Sequence, residues 1–401
     1  MRCPHFDAAR CRSCRWMGTP YAEQVHDVAA MASQALPSVP PEVWEPVATG
    51  PESGFRNKAK MVVAGTVEQP TLGILDPAGR GIDLRDCGLH DPRLVQALPV
   101  LADHVGLAGL VPYDVPARRG ELKHVLVTVA PDGGLMVRWV LRSTEALLRL
   151  RKHLPALRAA LPDLVVASAN IQPAHAAVLE GPEEHLLTDH GTLGIALPTS
   201  HGPLRLALRP GGFLQTNHHV AAQLYDTAAR WMQESGRSGR LRRGTWDLYC
   251  GVGGFALATA AAGALAPVVG VESSGEAVDA AREAAAGGGL DVEFLHADAG
   301  AYAASAAPED HPGTVVVNPP RRGIGELTTW LTGSGVQRLV YSSCHLGSLG
   351  ADLDRLPGWT VTRARVFDMF PQTAHVETMV LLERSDGPDR SGPGRREAYA
   401  M

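Results

Sequence analysis

Cys344, Glu377 and the turn that begins at Asn318 are the residues of this sequence whose types and spacing suggest chemistry. Cys344 ends the apolar run Leu339–Ser343, which is typical of a buried strand that delivers a thiol to the edge of a sheet. Asn318-Pro-Pro-Arg321 follows another such run, and Glu377 lies downstream. Because free cysteine is often a core residue, Cys344 alone would be assigned that role. The combination with a carboxylate and an Asn-Pro-Pro turn indicates covalent chemistry on a nucleobase.

A thiol and a base together can methylate a carbon that is a poor nucleophile, such as C5 of uracil. Addition of the Cys344 thiolate to C6 makes an enolate, whose C5 can attack a sulfonium methyl group. A base must then remove the C5 proton so that the thiolate can leave, and Glu377 is the candidate. Asn318-Pro-Pro also fits methylation of an exocyclic amine, but there an aromatic residue usually follows, whereas this sequence has Arg321.

The turn Asp247-Leu-Tyr-Cys-Gly-Val-Gly-Gly254 predicts a site for the methyl donor. Its glycines allow a tight turn between a strand and a helix and a close approach of the backbone to a ligand. Glu272 ends the next predicted strand, where a carboxylate can accept hydrogen bonds from ribose hydroxyls. Asp298 follows the third strand and could reach an adenine. The turn departs from the dinucleotide pattern Gly-x-Gly-x-x-Gly and resembles motif I of S-adenosylmethionine-dependent methyltransferases.

The C-terminal half must position these groups through alternating strands and helices. That alternation indicates a doubly wound, mostly parallel sheet, and the final two strands supply the added antiparallel strand of Rossmann-like methyltransferases. The predicted strands are Thr245–Tyr249, Val268–Val271, Val292–Leu295, Thr314–Val317, Arg338–Ser342, Val361–Asp368 and Val376–Glu383. The predicted helices are His218–Gln233, Phe255–Ala262, Gly275–Ala286, Glu326–Leu331 and Leu346–Leu356.

The N-terminal half shows short β patterns between turn residues, which indicate an antiparallel-rich α+β domain. Helices are predicted at 21–36 and Glu145–Ala160. Strands are predicted at Lys60–Val67, Leu72–Leu75, Leu122–Val129, Leu135–Leu141, Leu164–Ile171, Ala176–Glu180 and Leu204–Leu208. We therefore expect a cysteine-rich segment over 1–20, an α+β central domain over 21–205, a catalytic domain over 206–384 and a disordered tail over 385–401.

The length, net charge and apolar runs of the chain limit its number of domains and its classes of partner. The chain has 401 residues, and since single cores stop growing at about 250–300 residues, two or more domains are expected. The net charge of −5 argues against a uniformly basic surface but leaves room for local basic clusters. No run approaches the roughly 18 apolar residues that a membrane span needs, and the N-terminus lacks a signal peptide. We therefore expect a cytoplasmic protein with no membrane partner.

Cys3, Cys11 and Cys14 have the spacing of half a metal site, and Cys87 could complete four ligands. Zinc would accept four thiolates, and His5 and His90 keep a zinc site open as an alternative. Disulfides are less expected, because the chain is long and shows no sign of secretion.

Taken together, these motifs resemble those of the RNA uracil-C5 methyltransferases, an S-adenosylmethionine-dependent family, over nearly the whole chain. The matching stretches are Phe213-Leu-Gln215-Thr-Asn217, Asp247-Leu-Tyr-Cys-Gly-Val-Gly-Gly, Asn318-Pro-Pro-Arg-Arg-Gly, Ser342-Ser-Cys344 and Phe370-Pro-Gln-Thr-Ala-His-Val-Glu377. The resemblance implies that Cys344 is the nucleophile and Glu377 the base. It implies cofactor contacts by the residues Gln215, Tyr249, Glu272, Asp298 and Asn318. The sequence departs from the family at His345, which replaces the usual Asn, and at Tyr249, where Phe is common.

The resemblance also implies a structural [4Fe–4S] cluster on the cysteines Cys3, Cys11, Cys14 and Cys87. The cluster cysteines, and the lack of room for a further β-barrel domain before Cys3, resemble the branch of the family that methylates uracil-747 of 23S rRNA. The central domain would then bind RNA, with basic clusters at Arg10–Arg15, Arg56–Lys60 and Arg118–Lys123. A monomer is expected, and no protein partner is indicated.

Three alternatives remain open from the sequence. The target could be another rRNA or tRNA uracil, or two neighbouring rRNA sites. An amino-methyltransferase would keep the Asn318 turn but would not need Cys344. A non-catalytic iron–sulfur RNA-binding protein would need neither Cys344 nor Glu377.

Overall fold

The computed structural model describes residues 1–175, 178–235, 244–263 and 266–384. The predicted tail 385–401 lies outside these residues, as do the first two positions of the predicted strand Ala176–Glu180. Residues 178–180 of that prediction are not in a strand, because the β-structure of this region begins at Glu183.

Within the described residues, helices α1 to α10 span, in chain order, Pro4–Asp7, Tyr21–Ala35, Pro92–Leu107, Leu147–Ala160, His218–Ser235, Gly254–Ala261, Gly275–Gly288, Ala299–Ser305, Leu327–Gly333 and Leu346–Asp354. Strands β1 to β17 span Trp44–Ala48, Lys58–Gly65, Pro70–Leu75, Gly81–Asp83, Leu122–Val129, Leu135–Leu141, Leu164–Ile171, Glu183–Leu186, Leu193–Thr199, Gly202–Leu208, Thr245–Leu248, Val268–Glu272, Glu293–His296, Thr314–Val317, Arg338–Ser343, Trp359–Phe367 and Glu377–Arg384. No helix among them is long and apolar enough to cross a bilayer.

The catalytic sheet combines eight strands of the described chain in the order β1-β16-β17-β15-β14-β11-β12-β13. Strands β11 to β15 are parallel, and β17 is antiparallel to both of its neighbours, β15 and β16. The predicted doubly wound sheet with an added antiparallel strand is therefore confirmed.

Apolar residues on the central strands explain why both faces of this sheet are covered. Val315 and Val317 of β14 belong to one core cluster, and Val316 between them belongs to the other. Because successive side chains of a strand point to opposite faces, an uninterrupted apolar strand needs a packed layer on each face. Helices α5, α6 and α7 supply buried residues to the layer that contains Val316, and α8, α9 and α10 supply them to the layer that contains Val315 and Val317.

The central sheet contains seven strands of the described chain in the order β4-β3-β2-β5-β6-β7-β8, and all neighbours except the parallel pair β6–β7 are antiparallel. Helices α3 and α4 cover one of its faces with residues such as Leu98 and Leu154. Helix α3 is absent from the sequence-based prediction, although Asp91 caps it and Pro92 occupies its first turn, a recognisable start signal.

Two predicted domain boundaries differ from the boundaries that strand pairing and helix contacts indicate. Helix α2 contacts β16 and α10, and β1 pairs in parallel with β16, so residues 21–48 join the catalytic sheet rather than a central domain over 21–205. The hairpin β9–β10 packs on α5, α6 and α7, so the catalytic half extends to about residue 193, before the predicted start at 206. Pairing partners far along the chain, which local patterns do not reveal, cause both differences.

Candidate active site

The thiol and the carboxylate meet at the end of the antiparallel pair β15–β17. Ser343 pairs with Thr378, so the next step along the ladder places Cys344 opposite Glu377, the first residue of β17. Glu377 is 2% exposed, and the Ser342 hydroxyl donates a hydrogen bond to its carboxylate. The structure therefore brings the two predicted catalytic residues together.

Burial sets the protonation chemistry of both groups. It raises the pKa of Glu377 to about 7, and the hydrogen bond from Ser342 opposes this rise. Burial and the nearby Glu377 charge raise the pKa of the Cys344 thiol, whereas the nearby Arg321 guanidinium lowers it. A carboxyl group with a pKa near neutrality suits a general base at physiological pH.

The Asn318 turn stands beside the thiol because β14 and β15 are adjacent and parallel, with Val317 paired to Tyr341. The chain after the turn is held by Asp352 of α10. Its buried carboxylate accepts hydrogen bonds from the Ile324 amide at 2.8 Å and from the Tyr341 hydroxyl at 2.7 Å. This support fixes the segment that carries Arg321.

The glycine-rich turn follows β11 at the same edge of the sheet. The Asp247 carboxylate is fully buried and accepts a hydrogen bond from the Ala256 amide at 2.8 Å, while its Oδ1 has no partner among the described residues. Burial raises the pKa of Asp247 to about 8. Glu272 at the end of β12 accepts hydrogen bonds from the Gly251 amide at 3.1 Å and the Ser274 amide at 2.8 Å. Glu272 thus braces the turn beside the expected ribose position.

The other predicted cofactor residues lie along the same strand ends. Tyr249 takes a left-handed backbone angle of +64° in the turn after β11. Asp298 follows β13 and caps α8 by accepting a hydrogen bond from the Ala301 amide at 2.9 Å. Gln215 is buried ahead of α5, and its carbonyl accepts a hydrogen bond from the Asn57 side chain at 3.1 Å. The edge formed by the carboxyl ends of parallel strands is where ligands bind in open α/β sheets.

The cysteine-rich segment encloses a cavity of about 210 Å³ against the central sheet. All four predicted ligands line it, namely Cys3, Cys11, Cys14 and Cys87. Burial and the three neighbouring thiols raise the pKa of Cys14 to about 11, and Arg56 opposes that rise. Across the described part of the chain, no three His, Cys, Asp or Glu side chains converge closely enough to hold a single metal ion.

Sequence reasoning missed three residues that the structure places in the site. Ser342 contacts the base, Asp352 holds the turn, and Arg321, treated only as a departure from an aromatic pattern, lowers the pKa of the thiol. Ser342 lies two residues before Cys344, so both are near one strand end, and this spacing could have indicated a role for Ser342 in the site. Asp352 lies on a helix, and no local signal marks it.

The fold and this arrangement define a class I S-adenosylmethionine-dependent methyltransferase. Residues 309–385 match the family described as tRNA (Uracil-5-)-methyltransferase, and residues 214–339 match the methyltransferase small domain. The 23S rRNA (uracil(747)-C(5))-methyltransferase RlmC of Escherichia coli strain K12 is 43% identical over 95% of this chain and 99% of its own length. The RlmC of Halothiobacillus neapolitanus is 45% identical over 96% and 100%. The chain therefore belongs to the family of RNA uracil-C5 methyltransferases.

A solved structure supports the fold. The Pyrococcus abyssi tRNA (uracil-54, C5)-methyltransferase, crystallised with S-adenosyl-L-homocysteine, has a TM-score of 0.74 and 20% sequence identity, and covers 92% of this chain and 85% of its own. At that identity, the similarity shows a shared architecture across both halves of the molecule.

Proposed function

We propose that the protein methylates C5 of uracil-747 in 23S rRNA with S-adenosylmethionine as the methyl donor. The observation that carries the proposal is the opposition of Cys344 and Glu377 across the β15–β17 pair. The names of the relatives with 43% and 45% identity support the choice of RNA and of nucleotide. The proposal includes action in the cytoplasm, where ribosomal RNA is found, by a monomeric enzyme.

Cys344 acts first in this mechanism. Its thiolate adds to C6 of the uracil, which forms an S–C6 bond and moves electron density to C5 and the O4 oxygen. Burial and the Glu377 charge raise the pKa of the thiol and disfavour the thiolate, and the nearby Arg321 guanidinium opposes that rise. Arg321 therefore favours formation of the nucleophile.

The methyl donor contributes an electrophilic methyl group on a sulfonium when it is bound. Glu272 and Asp298 fit its ribose and adenine, because both carboxylates lie at strand ends beside the glycine-rich turn. Tyr249 and Asn318 would contact it from the ends of β11 and β14, and Gln215 would do so from the loop before α5. At this edge C5 of the enolate would accept the methyl group as the S–CH3 bond breaks, and the donor would leave as a neutral thioether.

Glu377 completes the reaction. Its carboxylate removes the proton from C5, the electrons of the C–H bond form the C5–C6 double bond, and the S–C6 bond breaks to return the thiolate. A carboxylate whose pKa is about 7 accepts a proton more readily than an exposed one. Its hydrogen bond to Ser342 keeps part of the population ionised at neutral pH.

RNA reaches this site past the central sheet. Phe213 is 69% exposed in the loop before α5, and the Lys58 ammonium lies 3.5 Å from the carbonyl oxygen of Gly212 beside it. An exposed aromatic ring offers a stacking surface, and nearby ammonium groups can contact phosphates. Because C6 of uracil is hidden in a helix, we propose that the base is bound unpaired or flipped out.

The cysteine cavity fits a [4Fe–4S] cluster, which forms part of the proposal. Four cysteine thiolates are the ligands of such a cluster, and all four cysteines line this cavity. The cluster would tie the N-terminal segment to the loop at Cys87 and has no step in methyl transfer. Replacement of Cys14 by Ser should abolish bound iron, the visible absorbance and soluble expression. Normal folding without iron would contradict this assignment.

Two experiments test the proposed function. Mapping of 5-methyluridine in rRNA and tRNA from a deletion strain should show loss at uracil-747 alone; loss at another site would redirect the substrate assignment.

Purified protein should also form a stable adduct with RNA that contains 5-fluorouracil, because fluorine at C5 blocks proton removal. The Cys344→Ala variant should form none. Retained methylation by that variant would favour an amino-methyltransferase, and no adduct or methylation by the unmodified protein would favour a non-catalytic RNA-binding role.

A further inference from the structure

Glu377 stands at the end of a loop that the N-terminal segment holds in place. The loop runs from Asp368 to Val376 between β16 and β17, and its central residue, Gln372, is 1% exposed. Gln372 has a φ of +71°, in the left-handed region that residues other than glycine rarely adopt. Such a conformation persists where its surroundings overdetermine it, and here the surroundings come from residues 16–52.

Four hydrogen bonds fix Gln372 from that side. Gln24 makes a reciprocal pair with it: the Gln24 side-chain oxygen accepts from the Gln372 amide at 2.9 Å, and the Gln24 amide group donates to the Gln372 side chain at 3.2 Å. The Trp16 amide donates to the Gln372 carbonyl at 3.2 Å. The Gln372 side chain donates to Glu52 at 3.4 Å, and Glu52 also pairs with the N-terminal ammonium of Met1 at 3.1 Å.

The two ends of the loop are also held from the N-terminal side. The Tyr21 hydroxyl donates to the Asp368 carboxylate at 2.7 Å. Val376 packs with Val28 and Ala32 of α2, and Trp16 packs against the same cluster. Helix α2 thus keeps its apolar contacts even where the Gln24 side chain is lost, so the hydrogen bonds can be tested separately from the packing.

We propose that Gln24 and Gln372 form a positioning pair that aims the Glu377 carboxylate at the C5 proton of the bound base. The inference rests on the proposed function. Only the last chemical step uses Glu377. If the loop before it lost these hydrogen bonds and became more mobile, proton removal and elimination should slow. The addition of Cys344 and the methyl transfer should remain largely unchanged. The covalent methylated RNA–enzyme intermediate should then accumulate on ordinary RNA.

The test uses Gln24→Ala, with Gln34→Ala as the matched control, because Gln34 lies on the same helix and is exposed. On a 23S rRNA transcript that contains uracil-747, Gln24→Ala should lower steady-state turnover about tenfold or more. Because the covalent intermediate then accumulates, the apparent KM for RNA should fall with the turnover, and kcat/KM should be largely preserved. Single-turnover formation of the denaturant-stable adduct should be preserved, and the adduct should persist. Gln34→Ala should match the unmodified protein.

A second variant and a second measurement distinguish the loss of the positioning contacts from misfolding. Gln372→Gly keeps the left-handed backbone accessible but removes the side-chain contacts to Gln24 and Glu52, and it should give the same persistent adduct. Amide hydrogen exchange over residues 368–377 should be faster in both variants than in Gln34→Ala. Unchanged turnover, or equal losses of adduct formation and turnover, would overturn the positioning role. An unmodified protein with no activity on the transcript would instead refute the proposed function, and the inference with it.

Discussion

Ser342 donates a hydrogen bond from β15 to the Glu377 carboxylate on β17, across the strand pair whose end also carries Cys344. The contact joins the residue two positions before the thiol to the group that must finish the reaction. Burial raises the pKa of Glu377 to about 7, and this hydrogen bond favours the ionised form. The pair therefore sets the pH range in which the base is active.

Replacement of Glu377 by Gln should separate the two halves of the reaction. The amide fills the same space and can still bond to Ser342, but it cannot accept the C5 proton. Turnover should fall by about 10²–10⁴-fold, and a methylated, denaturant-stable adduct should appear on ordinary RNA. Gel mobility with a radiolabelled methyl group measures this directly. A variant that turns over normally would assign the base elsewhere.

The Ser342→Ala variant should shift the acidic limb of the pH–kcat profile. Removal of a hydrogen bond to a carboxylate destabilises the ionised form, so the pKa of Glu377 should rise further. Since the active base is the ionised form above its pKa, the limb should move to higher pH, by about one unit. Activity at pH 6 should fall more than activity at pH 8.5.

Thr378→Val is a matched control for Ser342→Ala, because the buried Thr378 hydroxyl has no hydrogen-bond partner in the part of the chain that the structure describes. It should leave the profile in place. An equal shift in both variants would mean that general loosening of the strand pair, rather than the Ser342 contact, sets the pKa.

Arg321→Gln should weaken the nucleophile. The Arg321 guanidinium lowers the pKa of the Cys344 thiol against burial and the Glu377 charge, so its loss should raise that pKa and reduce the thiolate fraction at pH 7. Each unit of pKa corresponds to about a tenfold lower thiolate fraction, and the rate should recover as the pH rises.

The pH dependence of iodoacetamide labelling of the peptide that contains Cys344, measured by mass spectrometry, reports the thiolate without RNA. Arg322→Gln removes the same charge one residue away and should leave the labelling curve of Cys344 unchanged. If the two variants behave alike, the total positive charge of the segment, rather than Arg321 in particular, would control the pKa of the thiol.

The sequence predicts the catalytic sheet well because its elements are local. Apolar runs such as Thr314–Val317 and glycine-rich turns such as 251–254 specify a strand and a strand–helix turn without reference to distant residues. The pairing of β1 with β16 joins residues more than 300 positions apart, and no local pattern encodes it. Helix α3 was not predicted although Asp91 and Pro92 mark its start, whereas α4, which also has a proline inside it, was predicted.

The same distinction between local and long-range features separates the site residues that the sequence predicted from those that it did not. Cys344 and Glu377 were predicted because each lies next to a predicted strand end where the chemistry needs it, and because the family motifs include both. The contacts that tune them come from Ser342 across a strand pair and from Arg321 after a turn, and both depend on strand register rather than on residue type. The support of Gln372 by Gln24 spans 348 positions, so only the folded chain reveals it.

Gly254→Ala should destabilise the cofactor turn before any ligand binds. A β-carbon at Gly254 would lie 2.5 Å from the Tyr225 ring, and Tyr225 is buried with Phe255 at a ring distance of 5.0 Å, so neither ring can yield freely. Overpacking of this kind costs about 1–3 kcal/mol, which thermal unfolding of the protein without ligand would detect.

Gly287→Ala is the control, because a β-carbon there meets no atom within 4 Å, and alanine favours the helix by up to about 1 kcal/mol. Equal stability of the two variants would show that the turn tolerates a side chain and that Gly254 is not required for packing.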